Sequence, residues 1–493
     1  MHGHGKSDTN IVATNRANKP TMETAGAESG ERRTVPKGNT REEARLRTLR
    51  RDRLIDALAR VRQAAESDKT KRLNALWHHV SDVDRLREAF YQMPRHKATG
   101  IDQQTWQQYE AHLEEHLHDL ADRLQRGAYR AMPVRRVYIP KPDGRKRPLG
   151  IPTLEDKLVQ RVTAEVLQAI YEADFHDFSY GFRPKRSPHH ALDALTVTLE
   201  QEKISWVLDV DIRAFFETID HEGLITFLEH RIADPRVIRH VNKWLKAGVL
   251  EDGVVQDQAY GTPQGGSISP LLANVYLHYA LDNWAARWKQ TQARGAMTII
   301  RFADDLVGCF QYQDDAERFH QELRTRLARF HLELHPDKTR LVEFGRVAAS
   351  NRQRRGAGKP ETFTFLGFTH ICSQTQKGNR FAVLRKSSSK KVRAKLKEIK
   401  AELRARQSHA ITITGRWLSQ VLRGHYRYYA VPRNLPALYA VRDAVTWVWK
   451  QVLCRRSQRG HVTWERMHRI AQRWLPRPRV LHPYPNQRLT VTT

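Results

Sequence analysis

Hydrophobic residues recur at helical spacing over much of the chain. From Thr40 to Ala65 leucines, valines and alanines follow a 3.6-residue period among many arginines, which predicts a basic amphipathic helix. The same period covers Leu73 to Phe90, Trp106 to Arg126 and Asp156 to Tyr171. Leu271 to Trp284 is apolar nearly all round, so we expect a buried helix there.

Shorter apolar runs predict strands between these helices. Val134 to Ile139 alternates and is followed by Pro-Asp-Gly, a hairpin signal, before a second short strand. Ser205 to Ile212 resembles a buried strand, and Met297 to Phe310 contains two apolar runs that predict a tight hairpin. A further strand is expected over Thr362 to Phe368. After Ser387 a helical stripe begins again, with lysine and arginine on its other face. The mixture predicts an α+β fold.

Composition narrows the function. The chain has 493 residues, with 84 lysines and arginines against 54 acidic residues and a net charge of +30. Such an excess of positive charge favours a polyanionic partner, most often nucleic acid. Cys309, Cys372 and Cys454 form no Cys-x-x-Cys pair, which argues against a disulfide framework or a cysteine zinc site and favours a reducing, cytoplasmic location. We expect residues 1–40 to be disordered, and we expect no signal peptide, membrane span or membrane partner.

Acidic residues interrupt two of the predicted strands. Asp304 and Asp305 lie between the two runs of the tight hairpin, and Asp209 and Asp211 share one face of another strand. Asp304 and Asp305 are also compatible with a plain turn, because aspartate is a common turn former. Carboxylates placed together among apolar strands need a cation, and oxygen ligands around Mg²⁺ suit phosphoryl transfer. Since neighbouring strand residues diverge, we rank Asp304 above Asp305 as a ligand.

Basic residues cluster at two further places. The tip of the first hairpin carries Lys141, Arg145, Lys146 and Arg147, which fits either an exposed edge or a phosphate clamp. Residues 423–429 mix arginines with aromatic residues. Aromatic residues at helical spacing usually pack in a core, whereas the interleaved arginines favour an RNA surface. The sequence alone leaves both alternatives open at each place.

In their order these motifs resemble the reverse transcriptase/maturase proteins encoded by bacterial group II introns, from about Leu73 to the end of the chain. The resemblance implies a right-hand polymerase with fingers, an antiparallel palm sheet and a helical thumb that belongs to a maturase region. The implied domains are a disordered tail (1–40), an N-terminal extension with fingers (41–200), a palm (201–370) and a thumb/maturase domain (371–493). Phe302 stands where tyrosine is commonest in the family, and Lys185 and Arg433 stand where glycine is usual.

The resemblance also implies roles for single residues. The catalytic and metal-binding residues would be Asp211, Asp304 and Asp305, with Asp209 of second rank. The residues expected to bind the deoxynucleoside triphosphate are Lys141, Arg147, Phe216, Gln264 and Lys338. The expected primer grip is Phe365, Leu366 and Gly367, and the expected RNA-binding residues are Arg416, Arg423, Arg427, Lys391 and Lys395.

The expected function is therefore RNA-directed DNA synthesis with two Mg²⁺ ions, together with binding of a group II intron RNA to promote splicing and retrohoming. The partners would be intron RNA, an RNA template, a DNA primer or target and dNTPs, in a bacterial cytoplasm at the nucleoid. We expect no endonuclease activity, because the C-terminal part has no cysteine pairs. A reverse transcriptase recruited to host repair or defence and a non-catalytic RNA-binding splicing factor are the alternatives. The sequence does not indicate an oligomeric state.

Overall fold

The computed structural model describes residues 11–13, 41–140, 146–251, 254–256, 260–261, 265–375, 380–456 and 461–491, of which 11–13, 41–47 and 489–491 are described by their backbone. It confirms the α+β class. The helices are α1 (Arg41–Ser67), α2 (Trp77–Val80), α3 (Val83–Tyr91), α4 (Trp106–Ala111), α5 (Leu113–Gln125), α6 (Leu154–Tyr171), α7 (Pro188–Gln201), α8 (Phe215–Thr218), α9 (His221–Glu229), α10 (Pro235–Leu245), α11 (Ser269–Leu277), α12 (Asn283–Thr291), α13 (Gln313–Ala328), α14 (Ala348–Arg354), α15 (Ser389–Ala405), α16 (Ile411–Tyr429), α17 (Leu435–Cys454), α18 (Trp464–Trp474) and α19 (Pro485–Arg488).

Within the ranges just given, the strands form four small sheets. They are β1 (Ile11–Ala13), β2 (Val134–Pro140), β3 (Lys146–Ile151), β4 (Trp206–Asp211), β5 (Val249–Glu251), β6 (Val254–Gln256), β7 (Met297–Phe302), β8 (Asp305–Phe310), β9 (Arg340–Glu343), β10 (Phe363–Phe365), β11 (Phe368–Gln374), β12 (Phe381–Ser387) and β13 (Leu489–Val491). The sheet orders are β1-β13, β3-β2-β5-β6, β7-β8-β4-β9 and β10-β11-β12.

The sheet β7-β8-β4-β9 is antiparallel and lies between two parts of the core. Side chains of alternate strand residues point to opposite faces. Leu208 and Leu306 therefore pack with the large helical core on one face, and Val207 and Val307 pack with a second cluster on the other. A third cluster holds α15 to α18 together in the C-terminal part.

Several predicted elements are interrupted. The helix predicted over Leu73 to Phe90 is divided at Asp82, whose side chain accepts a hydrogen bond from the Arg85 amide and starts α3. The helix predicted over Trp106 to Arg126 is divided at His112. A π-helical turn at His278–Asp282 separates α11 from α12 within the predicted buried helix. Each element exists, but capping and tertiary packing set where it ends.

Lys185 and Arg433, the two residues that stand where glycine is usual, adopt a backbone conformation typical of glycine. Lys185 and Arg433 have φ angles of 61° and 68°, the left-handed conformation that glycine adopts most easily. The loops therefore keep a glycine-type shape at these two positions despite the larger side chains. At the N-terminus Ile11–Ala13 pair with Leu489–Val491 as a short antiparallel two-stranded sheet. The rest of the predicted tail lies outside the described residues.

Buried ion pairs connect parts of the chain that are distant in sequence. Asp193 on α7 accepts from Arg385 on β12 at 2.6 Å and lies 3.1 Å from Arg488 on α19. These pairs fasten the C-terminal segment to the sheet core. Among the helices within the described ranges, none combines the length and apolar character that a bilayer crossing requires.

Candidate active site

The acidic residues meet at one end of the sheet β7-β8-β4-β9. Asp211, the last residue of β4, is the direct cross-strand partner of Asp305, the first residue of β8. Cross-strand partners point to the same face of a sheet, so these two carboxylates lie side by side. Asp209 lies on the same face, two residues earlier in β4, and is the cross-strand partner of Arg340 on β9.

The predicted tight hairpin is confirmed, with a two-residue turn. Phe302 pairs with Asp305, which leaves Ala303 and Asp304 as the turn. Asp304 is therefore the turn residue, whereas Asp305 belongs to β8 and faces Asp211. Ala303 has a φ of 56°, an unusual conformation for a residue with a Cβ.

Buried contacts hold this turn in place. Arg301 and Asp282 are both fully buried, and the Arg301 Nε lies 2.7 Å from Asp282 Oδ1. The same guanidinium donates to the carbonyl of Ala303 at 2.9 Å. Gly181 packs so closely that an added Cβ would lie 2.2 Å from the Ala303 nitrogen. The position of Asp304 therefore depends on a buried arginine and on the absence of a side chain at Gly181.

Desolvation and neighbouring carboxylates raise the pKa values of Asp305 and Asp304. Desolvation, followed by the negative charges of Asp304, Asp211 and Asp209, raises the pKa of Asp305 to about 7. The Asp305 side chain is nevertheless exposed on one side, so water screens part of this repulsion. Desolvation and Asp211 also raise the pKa of Asp304, against the opposing effects of a backbone hydrogen bond, Arg147 and Arg301. The end of the sheet thus concentrates negative charge.

Asp209 is a further carboxylate on this face of the sheet. Desolvation raises its pKa to about 6, which Arg340 opposes and Asp211 reinforces. The nearest Arg340 nitrogen lies 3.9 Å from the Asp209 carboxylate. Asp209 therefore has a cationic neighbour of its own, and its second rank stays a prediction.

Lys338 neutralises Asp211. Its Nζ lies 3.0 Å and 2.9 Å from the two carboxylate oxygens of Asp211, although the residues are 127 positions apart. The Lys338 side chain is half exposed. A lysine ammonium is a point charge on a flexible stem, so it can move from one anion to another without disturbing the backbone.

The donor set suits a hard divalent cation. Asp211, Asp304 and Asp305 supply only carboxylate oxygens, which Mg²⁺ prefers. Desolvation and the neighbouring carboxylates raise the pKa values of Asp304 and Asp305, which a bound cation would oppose. In the part of the chain that the structure describes, no group of three or more acidic, histidine or cysteine side chains is arranged so that it could hold a metal ion. A cation at this place would therefore have to draw the carboxylates together and replace Lys338 at Asp211.

The hairpin β2–β3 approaches this acidic end. Arg147 on β3 is exposed and near enough to lower the pKa of Asp304, so one of the predicted triphosphate contacts reaches the acidic cluster. Lys141 and Gln264 lie outside the described residues, so their predicted roles stay predictions. Beyond Gln264, Gly265 has a φ of 122°, and an added Cβ would lie 2.5 Å from the carbonyl of Gly150 on β3. The small residue here allows two protein segments to meet.

Phe215 and Phe216 follow β4 and differ in burial. Phe215 is buried in the core, as expected, whereas Phe216 is only partly buried. Gly261 packs against the backbone of this pair, because an added Cβ would lie 2.9 Å from the Phe216 carbonyl oxygen. Phe216 thus lies beside Gly261, and its predicted contact with the sugar of a nucleotide stays a prediction.

The expected primer grip is a hairpin and not one continuous strand. Phe365 and Phe368 are cross-strand partners on β10 and β11, so Leu366 and Gly367 form a two-residue turn, with φ angles of 46° and 80°. Tyr428 on α16 donates its hydroxyl to the Leu366 carbonyl at 2.8 Å. The charge of Asp305 is among the causes that raise the pKa of Tyr428. Tyr428 therefore connects the C-terminal helices to this turn near the acidic residues.

The predicted RNA-binding residues lie on α15 and α16. Arg416, Arg423 and Arg427 are exposed on α16, and Lys391 is exposed on α15. Lys395 is half buried and lies 2.8 Å from Glu398, so it is the least available of the five. The aromatic residues among these arginines pack inward, as the core alternative expects. The RNA surface stays a prediction for the exposed arginines.

Sequence reasoning missed two residues of this site. Arg301 received no role, although an arginine inside an apolar strand needs a buried partner and was itself a signal. Tyr428 gave no such signal, because its partner Leu366 is 62 residues away and in the turn of a hairpin that was predicted as a strand.

Comparison with known proteins agrees with this geometry. Residues 139–370 match the family model described as reverse transcriptase (RNA-dependent DNA polymerase). The chain is 34% identical over 310 residues to protein YkfC of Escherichia coli strain K12, covering 56% of this chain and 81% of that protein. It is 44% identical over 177 residues to the group II intron-encoded protein LtrA of Lactococcus lactis, covering 36% of this chain and 29% of that protein. A putative COX1/OXI3 intron 1 protein of Saccharomyces cerevisiae is 34% identical over 170 residues, which cover 34% of this chain and 20% of that protein.

Proposed function

The chain belongs to the reverse transcriptase/maturase family of group II introns and is an RNA-directed DNA polymerase, and we propose that Asp211, Asp304 and Asp305 carry its nucleotidyl transfer. The observation that supports this assignment is the cross-strand pair of Asp211 and Asp305, with Asp304 in the adjoining turn. These acids come from separate strands and face one place. A reverse transcriptase uses divalent metal ions, and here we propose two Mg²⁺.

The protein's contribution is to hold charges where the reaction needs them. Arg301 and Gly181 fix the turn, so Asp304 is placed before any substrate arrives. When bound, the cations would activate the primer hydroxyl and neutralise the charge that develops on the phosphates. Lys338, once released from Asp211, would offer an ammonium to the departing pyrophosphate.

The substrates would lie between the acidic end of the sheet and its surroundings. We propose that Arg147 binds the triphosphate and that Phe216 lies under the sugar and excludes a 2′-hydroxyl. The turn at Leu366 and Gly367 would hold the primer end. Most of the rate enhancement would then come from positioning and charge neutralisation, as in other phosphoryl transfers.

A second surface would serve intron RNA. Arg416, Arg423 and Arg427 lie on one helix and are exposed, and each guanidinium can bind a phosphate through two hydrogen bonds. We propose that this face of α16, together with Lys391 on α15, binds group II intron RNA during splicing and retrohoming. Changing the three arginines to glutamine should weaken intron RNA binding and leave primer extension on an unrelated template largely intact.

The assignment of the acids is tested by Asp304→Ala. We expect primer extension on an RNA template to be abolished, while the affinity for RNA stays within about twofold of the unchanged protein because the basic surfaces are intact. Asp314→Ala is a matched control, since Asp314 is an exposed carboxylate paired with Arg294 on the surface. Its extension rate should be unchanged.

Two outcomes would contradict the proposal. If Asp304→Ala retained extension, the acidic cluster would not be the polymerase site. If unchanged protein bound RNA but extended no primer at any divalent cation concentration, the protein would be a non-catalytic splicing factor with a polymerase fold.

A further inference from the structure

Phe182 is an exposed aromatic residue beside the active-site turn. It is 53% exposed, whereas its chain neighbours Gly181 and Arg183 are buried. Its φ of 57° lies in the left-handed region, which a residue with a Cβ rarely adopts. A bulky residue in this conformation lowers stability unless the surrounding structure holds it there. Phe182 therefore combines a strained backbone with a ring in water, and the ring contributes little to the core.

The residue before Phe182 fastens this loop to the active-site turn. The Gly181 carbonyl accepts a hydrogen bond from the side-chain amide of Asn274 at 2.7 Å. The side-chain oxygen of Asn274 accepts a hydrogen bond at 3.1 Å from Arg301, which also donates to the carbonyl of Ala303 in the turn. The loop and the turn therefore share one buried support, and Phe182 has a fixed position relative to the turn.

The ring of Phe182 lies on the side of the sheet that bears the carboxylates. Its centroid is 6.4 Å from the centroid of the Phe302 ring, a separation typical of contacting aromatic pairs. Phe302 is the direct cross-strand partner of Asp305, so their side chains point to the same face of the sheet. Asp211, the other cross-strand partner of Asp305, shares this face. A duplex whose primer end reaches these carboxylates therefore comes within reach of the Phe182 ring.

Two further features of this face suit a nucleic acid. Leu366, in the expected primer grip, and Tyr428 pack against the same hydrophobic cluster as Phe302. Lys185, three residues after Phe182, is exposed and adds a positive charge to the same loop. An aromatic ring near a cation is a combination that binds a base together with its phosphate. The primer–template is thus the partner that fits the ring, because the reaction requires its end to reach the carboxylates.

We propose that Phe182 is a substrate-binding residue of the polymerase, and that its ring packs against a base at the reacting end of the primer–template. The base has two possible sources with the same chemistry: the RNA template, or the end of the DNA primer. The inference rests on the proposed role of Asp304 and Asp305 as the acids that the primer end reaches. The ring is then needed for substrate binding and not for the fold.

Binding of a primer–template to the full chain tests the proposal. The primer ends in a dideoxynucleotide, so that no extension takes place, and the dissociation constant is measured by fluorescence anisotropy in Mg²⁺. We expect Phe182→Ala to raise the dissociation constant at least about fivefold, the lower end for loss of one base–aromatic contact. Phe182→Tyr keeps the ring and should bind normally. Tyr312→Ala is the matched control and should also bind normally, because Tyr312 is a similarly exposed aromatic residue, at 46%, beyond the opposite end of β8.

A 2-aminopurine base, whose fluorescence depends on stacking, then identifies the strand. It is placed in the template, at the first unpaired position or opposite the primer end, or at the primer end itself. Phe182→Ala should change the fluorescence of the bound probe in the strand that the ring touches, and a change in either strand supports the proposal. If no probe changes, the ring does not touch a base and the proposal is overturned, whatever the affinity. An equal change in Tyr312→Ala would overturn it as well.

Stability and extension measurements separate this inference from the fold and from the acids. Urea unfolding should show nearly the same midpoint for Phe182→Ala as for the unchanged protein, because the ring is exposed. If that variant does not fold, Phe182→Leu keeps an apolar contact with Phe302 without the aromatic ring, and the same outcomes apply to it. Retained extension in Asp304→Ala would contradict the role of the acids. Unchanged probes in Phe182→Ala, with extension abolished in Asp304→Ala, would contradict the role of Phe182 alone.

Discussion

Replacing Asp305 with asparagine tests whether the repulsion among the active-site carboxylates lowers the free energy of unfolding. The pKa of Asp305 is about 7 instead of its ordinary 3.8, because of desolvation and the neighbouring carboxylates. Without screening, that difference would correspond to about 4 kcal/mol. The side chain is exposed, so solvent screens a large part, and we expect Asp305→Asn to raise the free energy of unfolding by about 1 to 2 kcal/mol at pH 8.

The pH dependence has a definite sign. A carboxyl group with a higher pKa in the folded chain binds its proton more tightly there, so its contribution favours folding at low pH. That contribution is lost as the pH rises from the ordinary value of 3.8 through about 7. The advantage of Asp305→Asn over the unchanged protein should therefore be largest above pH 7 and fall to less than half at about pH 4.

Urea unfolding in EDTA at the two pH values measures this difference. Asp314→Asn is the control, since Asp314 belongs to an exposed surface ion pair and its loss should change stability by less than about 0.5 kcal/mol. Primer extension by Asp305→Asn should be lost although the protein is more stable. A variant less stable than the unchanged protein at pH 8, or a gain that does not change with pH, would refute the electrostatic reasoning.

Three further predictions concern the rest of the molecule. Tyr428→Phe removes the hydrogen bond to the Leu366 carbonyl. In steady-state kinetics we expect the KM for primer–template to rise about three- to tenfold, with kcat little changed. An unchanged KM would contradict a role of this hydrogen bond in holding the primer. Asp193→Asn leaves Arg385 and Arg488 without their buried counter-charge. It should lower the free energy of unfolding, measured in urea, by about 3 to 5 kcal/mol. A loss under about 1 kcal/mol would contradict the idea that these ion pairs stabilise the fold. RNA affinity should fall about a thousandfold or more between 50 and 200 mM salt, if about six to ten phosphates are neutralised. An affinity that does not change with salt in a filter-binding titration would show that the basic residues of α15 and α16 are not the RNA-binding site.

The acidic hairpin could be predicted from sequence because all its information is local. Two apolar runs with a short polar gap specify a hairpin, and the period of two places Asp209 and Asp211 on one face. The rank of Asp304 above Asp305 was argued from the divergence of neighbouring strand residues, and it stays a prediction because Asp304 lies in the turn. The structure places Asp305 in the strand, opposite Asp211.

Other features depend on residues that are distant in sequence. The π-helical turn directs Asp282 towards Arg301, which is 19 positions away, and no helical period indicates it. The hairpin at Leu366 was predicted as a strand because leucine rarely adopts a positive φ, and packing by Tyr428 supports this conformation. The pair of Lys338 with Asp211 likewise forms only once the sheet is assembled.

Two basic residues of different type contact the active site: Arg301 fixes the backbone of the turn, and Lys338 neutralises a carboxylate that is proposed to react. Arg301 holds the fully buried Asp282 through a planar guanidinium, and loss of either partner would leave an uncompensated buried charge. Lys338 holds Asp211 through a half-exposed ammonium, which can leave into water at little cost. Desolvation, followed by the neighbouring carboxylates, raises the pKa of Asp305, opposite Asp211, to about 7. Arg301, which cannot leave its buried partner, thus fixes the turn that carries Asp304, whereas Lys338, which can leave, neutralises Asp211.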